Sequence, residues 1–532
     1  MKKTRPEPEG YLAIVLHAHL PFVRHMEFED FLEERWLQEA VVESYLPLIQ
    51  RFMRLREDGV EFRFTLSISP TLISMLEDSL LRARMRRHLD HLVSFGESEL
   101  IRNRDKPELL ALSRFHLERF SQMRELYDDL SGDILAPLAT LEAEGFLELI
   151  TAPATHAVLP LVACHPPSIR AQVRQGIQSH EKALGRKPRG MWLPECAYYP
   201  GLDEVLAEEG IRFFFLDAHG VTLAKPKPVF AVYAPIYTPA GVAAFGRDTV
   251  ASRRVWSIQE GYSGHRAYRD FHSDVGYELP CETVSELLPP DDARCFTGYK
   301  YHARGSQSLP APLYQPDLAL KKARQHAADF VLGRESMLPT LAEKMRRPPL
   351  FTVPFDAELF GHWWFEGPDF LDSLARRIFH DTRRLTLVTP MEYLHRYPAN
   401  QKSEPAASSW GEGGQFDSWA NDANDWAYPH VHEIATRMTE LADFFPETSG
   451  DRCRALNQCA REVLLAQSSD WTFQIQDPRT RPYAEQRIRN HVGRFLRLYE
   501  MLVNDKIDTA WLTQLEEHDL LFPDIDYTVY CS

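Results

Sequence analysis

A chain of 532 residues with a formal net charge of −16 can bury a large core and excludes a polyanionic partner, because nucleic-acid binding needs a basic footprint that displaces counterions. Aromatic residues make up 11% of the chain, ten of them Trp, which suits a neutral substrate with flat apolar faces as well as ordinary core packing. Seven cysteines, odd in number and without a CxxC pair, point to reduced thiols in a cytoplasmic protein.

The basic start Met1-Lys2-Lys3 has the look of a signal n-region, but acidic residues follow and the apolar run Leu12 to Leu16 stops at His17, too short for export or a membrane span. Tyr11 to Leu16 predicts a buried strand that delivers His17 and His19 on one face, since residues i and i+2 of a strand point the same way. Residues 31–56 and 70–94 have helical patterning around a second strand, Phe62 to Ile68. Helices fill 107–144, and Phe146 to Thr151 returns to strand character. After Ala154-Thr155-His156 and a helix near 168–184, a short strand enters Trp192-Leu193-Pro194-Glu195. A helix at 201–209 then precedes the strand Ile211 to Asp217. Each apolar strand ends in His, Asp, Glu or Pro, the mark of a barrel-like parallel α/β domain whose chemistry gathers at strand carboxyl ends.

Residues 221–315 lose this alternation and read as a long irregular connection. Leu350 to Pro354 restores the strand and delivers Asp356, and Leu385 to Thr389 is the last strand. Residues 399–409 read as a linker to a C-terminal helical domain. The expected division is a catalytic part at 1–400, with helical (about 95–145) and irregular (221–315) insertions, and a C-terminal helical part at 401–532 that helps form the substrate groove.

Glu195 and Asp356 lie about 160 residues apart, each after a short apolar strand and a proline and each among aromatic residues. Two carboxylates facing one cleft are the minimum apparatus for breaking a glycosidic bond, one attacking the anomeric carbon and the other moving the proton. The aromatic setting of Asp356 (Phe355, Phe360, Trp363, Trp364) is suited to raising its pKa, as an acid that stays protonated near neutrality requires. A rival reading gives His17 and His19, with His156, His219 and Asp217, to a metal, as in strand-end HxH sites of hydrolases and deacetylases. Trp410, Trp419 and Trp426, interleaved with Gly411 to Gly414, Asn421 and Asn424, fit either a glucan groove or a loop stabilised by core tryptophans.

His17-Ala18-His19-Leu20-Pro21, the stretch from Glu148 to His156, Trp192-Leu193-Pro194-Glu195-Cys196-Ala197, the run from Pro354 to Trp364, and Trp410-Gly411-Glu412-Gly413-Gly414 resemble, in order, the five signature regions of glycoside hydrolase family 57. The resemblance runs from about residue 11 to 500 and is greatest to the family's 1,4-α-glucan branching enzymes. It implies an α/β fold, an incomplete (β/α)7 barrel with an inserted helical subdomain and a C-terminal helical domain. It also implies Glu195 as nucleophile, Asp356 as acid/base, no cofactor and no metal, and an α-1,4-glucan as partner. By position His17, Arg254, Trp410, Trp419 and Asp470 resemble substrate contacts, with His19, His156, Asp217 and Trp363 as further candidates. The family's mobile loop with a tyrosine at its tip falls between Gly241 and Gly264, where Tyr262 is the candidate. The 476–481 stretch departs from the family pattern after Asp470. A 4-α-glucanotransferase or α-amylase on the same scaffold is the nearest alternative, and a metal-dependent carbohydrate deacetylase the remote one.

Overall fold

The computed structural model describes residues 7–289, 293–305 and 312–532, so the signal-like start at Met1 to Lys3 and parts of the 221–315 connection lie outside the described residues. The organising strand is β1 (Gly10–Ala18), buried along its whole length. It pairs in parallel on both edges, and it is apolar on both faces because Leu12, Ile14 and Leu16 pack into one core and Tyr11, Ala13 and Val15 into another, so neither face meets water. One edge carries β8 (Leu350–Asp356); the other carries β9 (Leu385–Leu387) at its start and β2 (Phe64–Ile68) at its end. β3 (Leu147–Ile150) follows β2 in parallel register.

A second sheet runs β4 (Gly190–Met191), β5 (Phe213–Leu216), β7 (Ala243–Gly246) and then β6 (Ile236–Tyr237), which is antiparallel to β7. Two seams join the sheets. Trp192 N donates to Thr151 O at 2.7 Å between the β3 and β4 ends, and Asp248 N, just past β7, donates to Thr352 O within β8 at 2.8 Å. Strands β1 to β5, β7 and β8 therefore circle round as an incomplete (β/α)7 barrel. A tight spot lies at Gly190, where a Cβ would stand 2.3 Å from the Phe213 ring, so only glycine lets β4 lie against β5.

The 221–315 stretch is more regular than the sequence predicts, since it contributes β7, a barrel strand, and the helix Thr249–Trp256. The sequence Ala-Ala-Phe-Gly of β7 is too short and too poor in β-branched residues to carry a strand signal. Residues 402–408, expected as a linker, lie against the barrel through bridges Tyr198–Ser408, Lys225–Glu404 and Tyr237–Lys402. The inserted helices Ser79–Arg102, Pro107–Asp129 and Leu135–Ala143 separate β2 from β3. At the C-terminus the helices Ala427–Phe444, Gly450–Ala466, Arg481–Val503 and Thr509–His518 pack together. Each large apolar side chain buried in this way contributes roughly 1.5–3 kcal/mol. Among the described residues, no helix is long and apolar enough to cross a membrane.

Candidate active site

Parallel pairing of β1 with β8 sets His17 directly beside Asp356 at the carboxyl ends of the two strands. Across the barrel mouth, the chain leaving β4 turns sharply. Glu195 and Cys196 both have left-handed backbones (φ 61° and 51°), as does His156 (φ 58°) after β3. Non-glycine residues in this region store conformational energy and persist only where their surroundings fix them. Here the fixing contacts are visible: Trp410 N donates to Glu195 O at 2.9 Å, and the Trp410 indole Nε1–H donates to Glu195 Oε2 at 2.7 Å. Oε1 of Glu195 lies 3.9 Å from His156 Nδ1.

Three histidines and Trp192 form a stack behind the acids. His17 lies over Trp192 at 4.6 Å, and His19 over His156 at 3.7 Å with 12° between planes. His17 Nε2 and His156 Nε2 are 3.0 Å apart, so one donates and the other accepts; burial keeps both rings neutral by pushing their pKa well below the ordinary value. Ser67, Ser69 and Ser469 sit within 3.0 Å of the Nδ1 atoms of His17, His19 and His156 respectively. His19 Nε2 contacts both oxygens of Asp470 at 3.2 Å, and Asp470 also accepts from Ser468 Oγ at 2.6 Å. Burial works to raise the Asp470 pKa, but the neighbouring His19 and the hydrogen bonds outweigh it and the net shift is downward. Asp470 thus brings the first turn of the helix Ser469–Gln474 of the C-terminal part to the barrel mouth.

The donor atoms of His19, His156 and Asp470 lie within 4.8 Å of one another. Imidazole lone pairs lie in the ring plane, however, and two nearly parallel stacked rings offer no common point at which both could reach one ion. Asp217 and His219, the other members of the rival metal set, are engaged elsewhere. Asp217 accepts from Ala218 N at 2.5 Å and pairs with Arg247 at 3.6 Å, and His219 Nε2 donates to Gly414 O at 2.9 Å.

The second acid has a different environment. Among the described residues the Asp356 carboxylate has no side-chain hydrogen-bond partner, and it faces a cavity of about 320 Å³. Arg247, Trp256, Ile258, Arg304, Trp363 and Trp410 help line that cavity. Trp256, Ile258 and Trp363 are 47%, 71% and 43% exposed, an apolar rim open to solvent. Burial raises the pKa of both acids, Asp356 to about 6 and Glu195 to about 8; Arg247 opposes the rise at Asp356, and the Trp410 indole opposes it at Glu195. Because the Glu195 value is the higher, the proton of the pair sits on Glu195 near neutral pH.

Arg254 and Tyr262 are not brought to the cavity. Both bind Asp329, Arg254 Nη2 at 3.1 Å and the Tyr262 hydroxyl at 2.5 Å, and the Tyr262 ring is buried against His326. Helical phase explains this. Arg254 and Trp256 share one helix two positions apart, roughly 200° around the axis, so when Trp256 faces the cavity Arg254 points away. Trp419 is buried beneath Gly411, whose Cβ position is 2.7 Å from its ring, and supports the Trp410 loop from below. Sequence reasoning missed Arg247, which directly follows the overlooked strand β7, and Glu358. The Glu358 Oε1 accepts from His19 N at 3.2 Å and from the Tyr45 hydroxyl, and burial raises its carboxyl to about 8.

Comparison with known proteins places the whole chain among similar ones. The profile of glycosyl hydrolase family 57 matches residues 13–275, and that of the 1,4-alpha-glucan branching enzyme C-terminal region matches 430–530. The 1,4-alpha-glucan branching enzyme TK1436 of Thermococcus kodakarensis is 30% identical over 98% of this chain and 79% of its own length. Among solved structures, the alpha-amylase AmyC of Thermotoga maritima superposes with a TM-score of 0.92 at 39% identity, covering 98% of this chain and 99% of its own. The GH57-type branching enzyme of Pyrococcus horikoshii does so with a TM-score of 0.87 at 30% identity, covering 98% and 97%.

Proposed function

The chain belongs to glycoside hydrolase family 57, and from that premise we propose that it is a 1,4-α-glucan branching enzyme in which Glu195 is the nucleophile and Asp356 the acid/base. The observation that carries the assignment of roles is the contrast between the two acids: Glu195 is clamped by Trp410, while Asp356 stands free at the head of an aromatic cavity.

The Glu195 carboxylate attacks the anomeric carbon of an α-1,4 linkage while Asp356 gives its proton to the departing glycosidic oxygen, leaving a covalent glucosyl-enzyme. Substrate must therefore draw the shared proton from Glu195 to Asp356, and positive charge developing at the anomeric carbon favours the ionised Glu195. In the second step Asp356 takes the proton of a C6 hydroxyl on an acceptor chain, whose oxygen displaces Glu195 and closes an α-1,6 bond. The acceptor lies over Trp363, Trp410, Trp256 and Ile258, whose apolar faces suit pyranose rings and exclude water from the glucosyl-enzyme. His19 and Asp470 bind the donor glucan on the other side of the acids, backed by the buried His17 and His156, and Asp217 holds Arg247 in place.

The division at 400/401, the cytoplasmic location and a role in glycogen biosynthesis belong to this same reading. Incubation with amylose tests it: the reading predicts new α-1,6 linkages by proton NMR with few new reducing ends. Reducing ends without α-1,6 linkages would make the chain an α-amylase.

A further inference from the structure

A second cluster of metal-ligating side chains lies where the loop after β1 meets the last long helix, Thr509–His518, away from the acids. His25, Glu27 and His518 place one donor atom each within 4.8 Å of one another. We propose that these three residues form a binding site for a divalent transition-metal ion of the zinc class, which staples the loop carrying the His19 segment to the C-terminal helical part.

Ring geometry permits it here. The His25 and His518 planes stand at 89° with centroids 6.4 Å apart, so their in-plane lone pairs can converge on one point, unlike the parallel stack of His19 on His156. Two nitrogens and a carboxylate oxygen are a donor set that zinc takes at roughly 2.0–2.2 Å, with water completing the tetrahedron. Binding draws the three side chains inward, and Glu27, exposed on its loop, has the freedom to follow.

The partners around the three ligands fit that role. His518 Nδ1 lies 3.0 Å from Asp519 Oδ1 and its Nε2 lies 3.0 Å from Glu27 Oε1. The Asp519 carboxylate behind Nδ1 orients the ring so that Nε2 faces Glu27, as carboxylates behind metal-bound histidines do. Backbone ties already hold the two elements together, since Arg24 Nη1 donates to Glu517 O at 2.5 Å and to His518 O at 3.3 Å.

The test is zinc titration of EDTA-stripped full-length protein by calorimetry, with Co²⁺ as a spectroscopic probe. The expected result is one zinc per chain, a visible Co²⁺ d–d spectrum of low-symmetry four-coordinate type, and a Tm that rises with zinc and falls back with EDTA. Glu27→Gln, at an exposed position that cannot threaten folding, should weaken zinc at least tenfold, and His25→Gln with His518→Gln should abolish the site. Absence of stoichiometric binding by the unaltered chain, or zinc affinity unchanged in Glu27→Gln and the double variant, would overturn the proposal. Neither result bears on the carboxylate chemistry, so the two readings fail separately.

Discussion

The two walls of the cleft are built on opposite plans. On the β4 side, Glu195 is held by a left-handed backbone, a 2.7 Å indole hydrogen bond and a histidine stack in which His17 and His156 are buried and neutral. On the β8 side, Asp356 has no side-chain partner among the described residues, and its neighbours Trp363, Trp256 and Ile258 are exposed to solvent. A nucleophile gains from a single fixed geometry, whereas an acid/base must serve a leaving oxygen and then an incoming hydroxyl. Rigidity and openness are thus divided between two residues of similar chemistry.

The contrast can be broken most sharply at the acids. Glu195→Gln should lower turnover of amylose by roughly 10⁴-fold or more, and Asp356→Asn by about 10²–10⁴-fold. Only the latter should recover substantially on a glycosyl donor whose leaving group needs no proton, measured as release of that group. If both variants recovered alike, the walls would not differ in role.

Trp410→Phe sharpens the fixed side. Loss of a hydrogen bond to a charged acceptor, worth about 1.5–3 kcal/mol, should cut kcat/KM by roughly 10- to 100-fold. The indole lowers the Glu195 pKa, so its removal raises that pKa, and because Glu195 titrates above Asp356 this moves the basic limb of the pH–rate profile to higher pH. A limb that stayed in place would mean that Trp410 does not tune Glu195.

Burial of Glu195 should also be visible in stability. Its folded pKa, about 8, lies above the ordinary 4.5, so the native state binds more protons than the unfolded chain between these values. The stability linked to this group is present below pH 4.5 and is lost as pH rises through 8. Glu195→Gln removes that loss, and its Tm should exceed that of the unaltered protein by about 1–3 °C at pH 8.5 and by nothing at pH 4.5, read by calorimetry. The smallest effect is expected at Arg254→Ala. This exposed ion pair with Asp329 is worth less than about 1 kcal/mol, and kcat/KM on amylose should stay within about twofold, since Arg254 does not line the cavity.

Much of this arrangement is legible in the sequence because parallel barrel strands write themselves as short apolar runs. Gly10–Ala18, Phe64–Ile68, Phe213–Leu216 and Leu350–Asp356 each announce the residue at their end, and that residue faces the cleft in the case of His17 and Asp356. The strand Ala243–Gly246 is silent because it is short and built of small residues, and with it Arg247 goes unnoticed. The helix Pro316–Lys344 escapes as well, since its apolar spacing is weak and Pro339 interrupts it. Arg254 shows the other kind of limit. A substrate-like arginine can be identified by its neighbours in sequence, but only helical phase says which way it points. The clamp of Trp410 on Glu195 joins residues 215 positions apart and has no local signature at all.

The central claim is that Glu195 forms the covalent bond and Asp356 moves the proton. It is tested most directly by trapping the intermediate with a fluorinated α-glucosyl donor in the Asp356→Asn variant, followed by peptide mass spectrometry. The account predicts a single glucosyl adduct on the peptide spanning residues 190–199, located at Glu195. An adduct on any other residue, or none while the unaltered enzyme turns over the same donor, would contradict it.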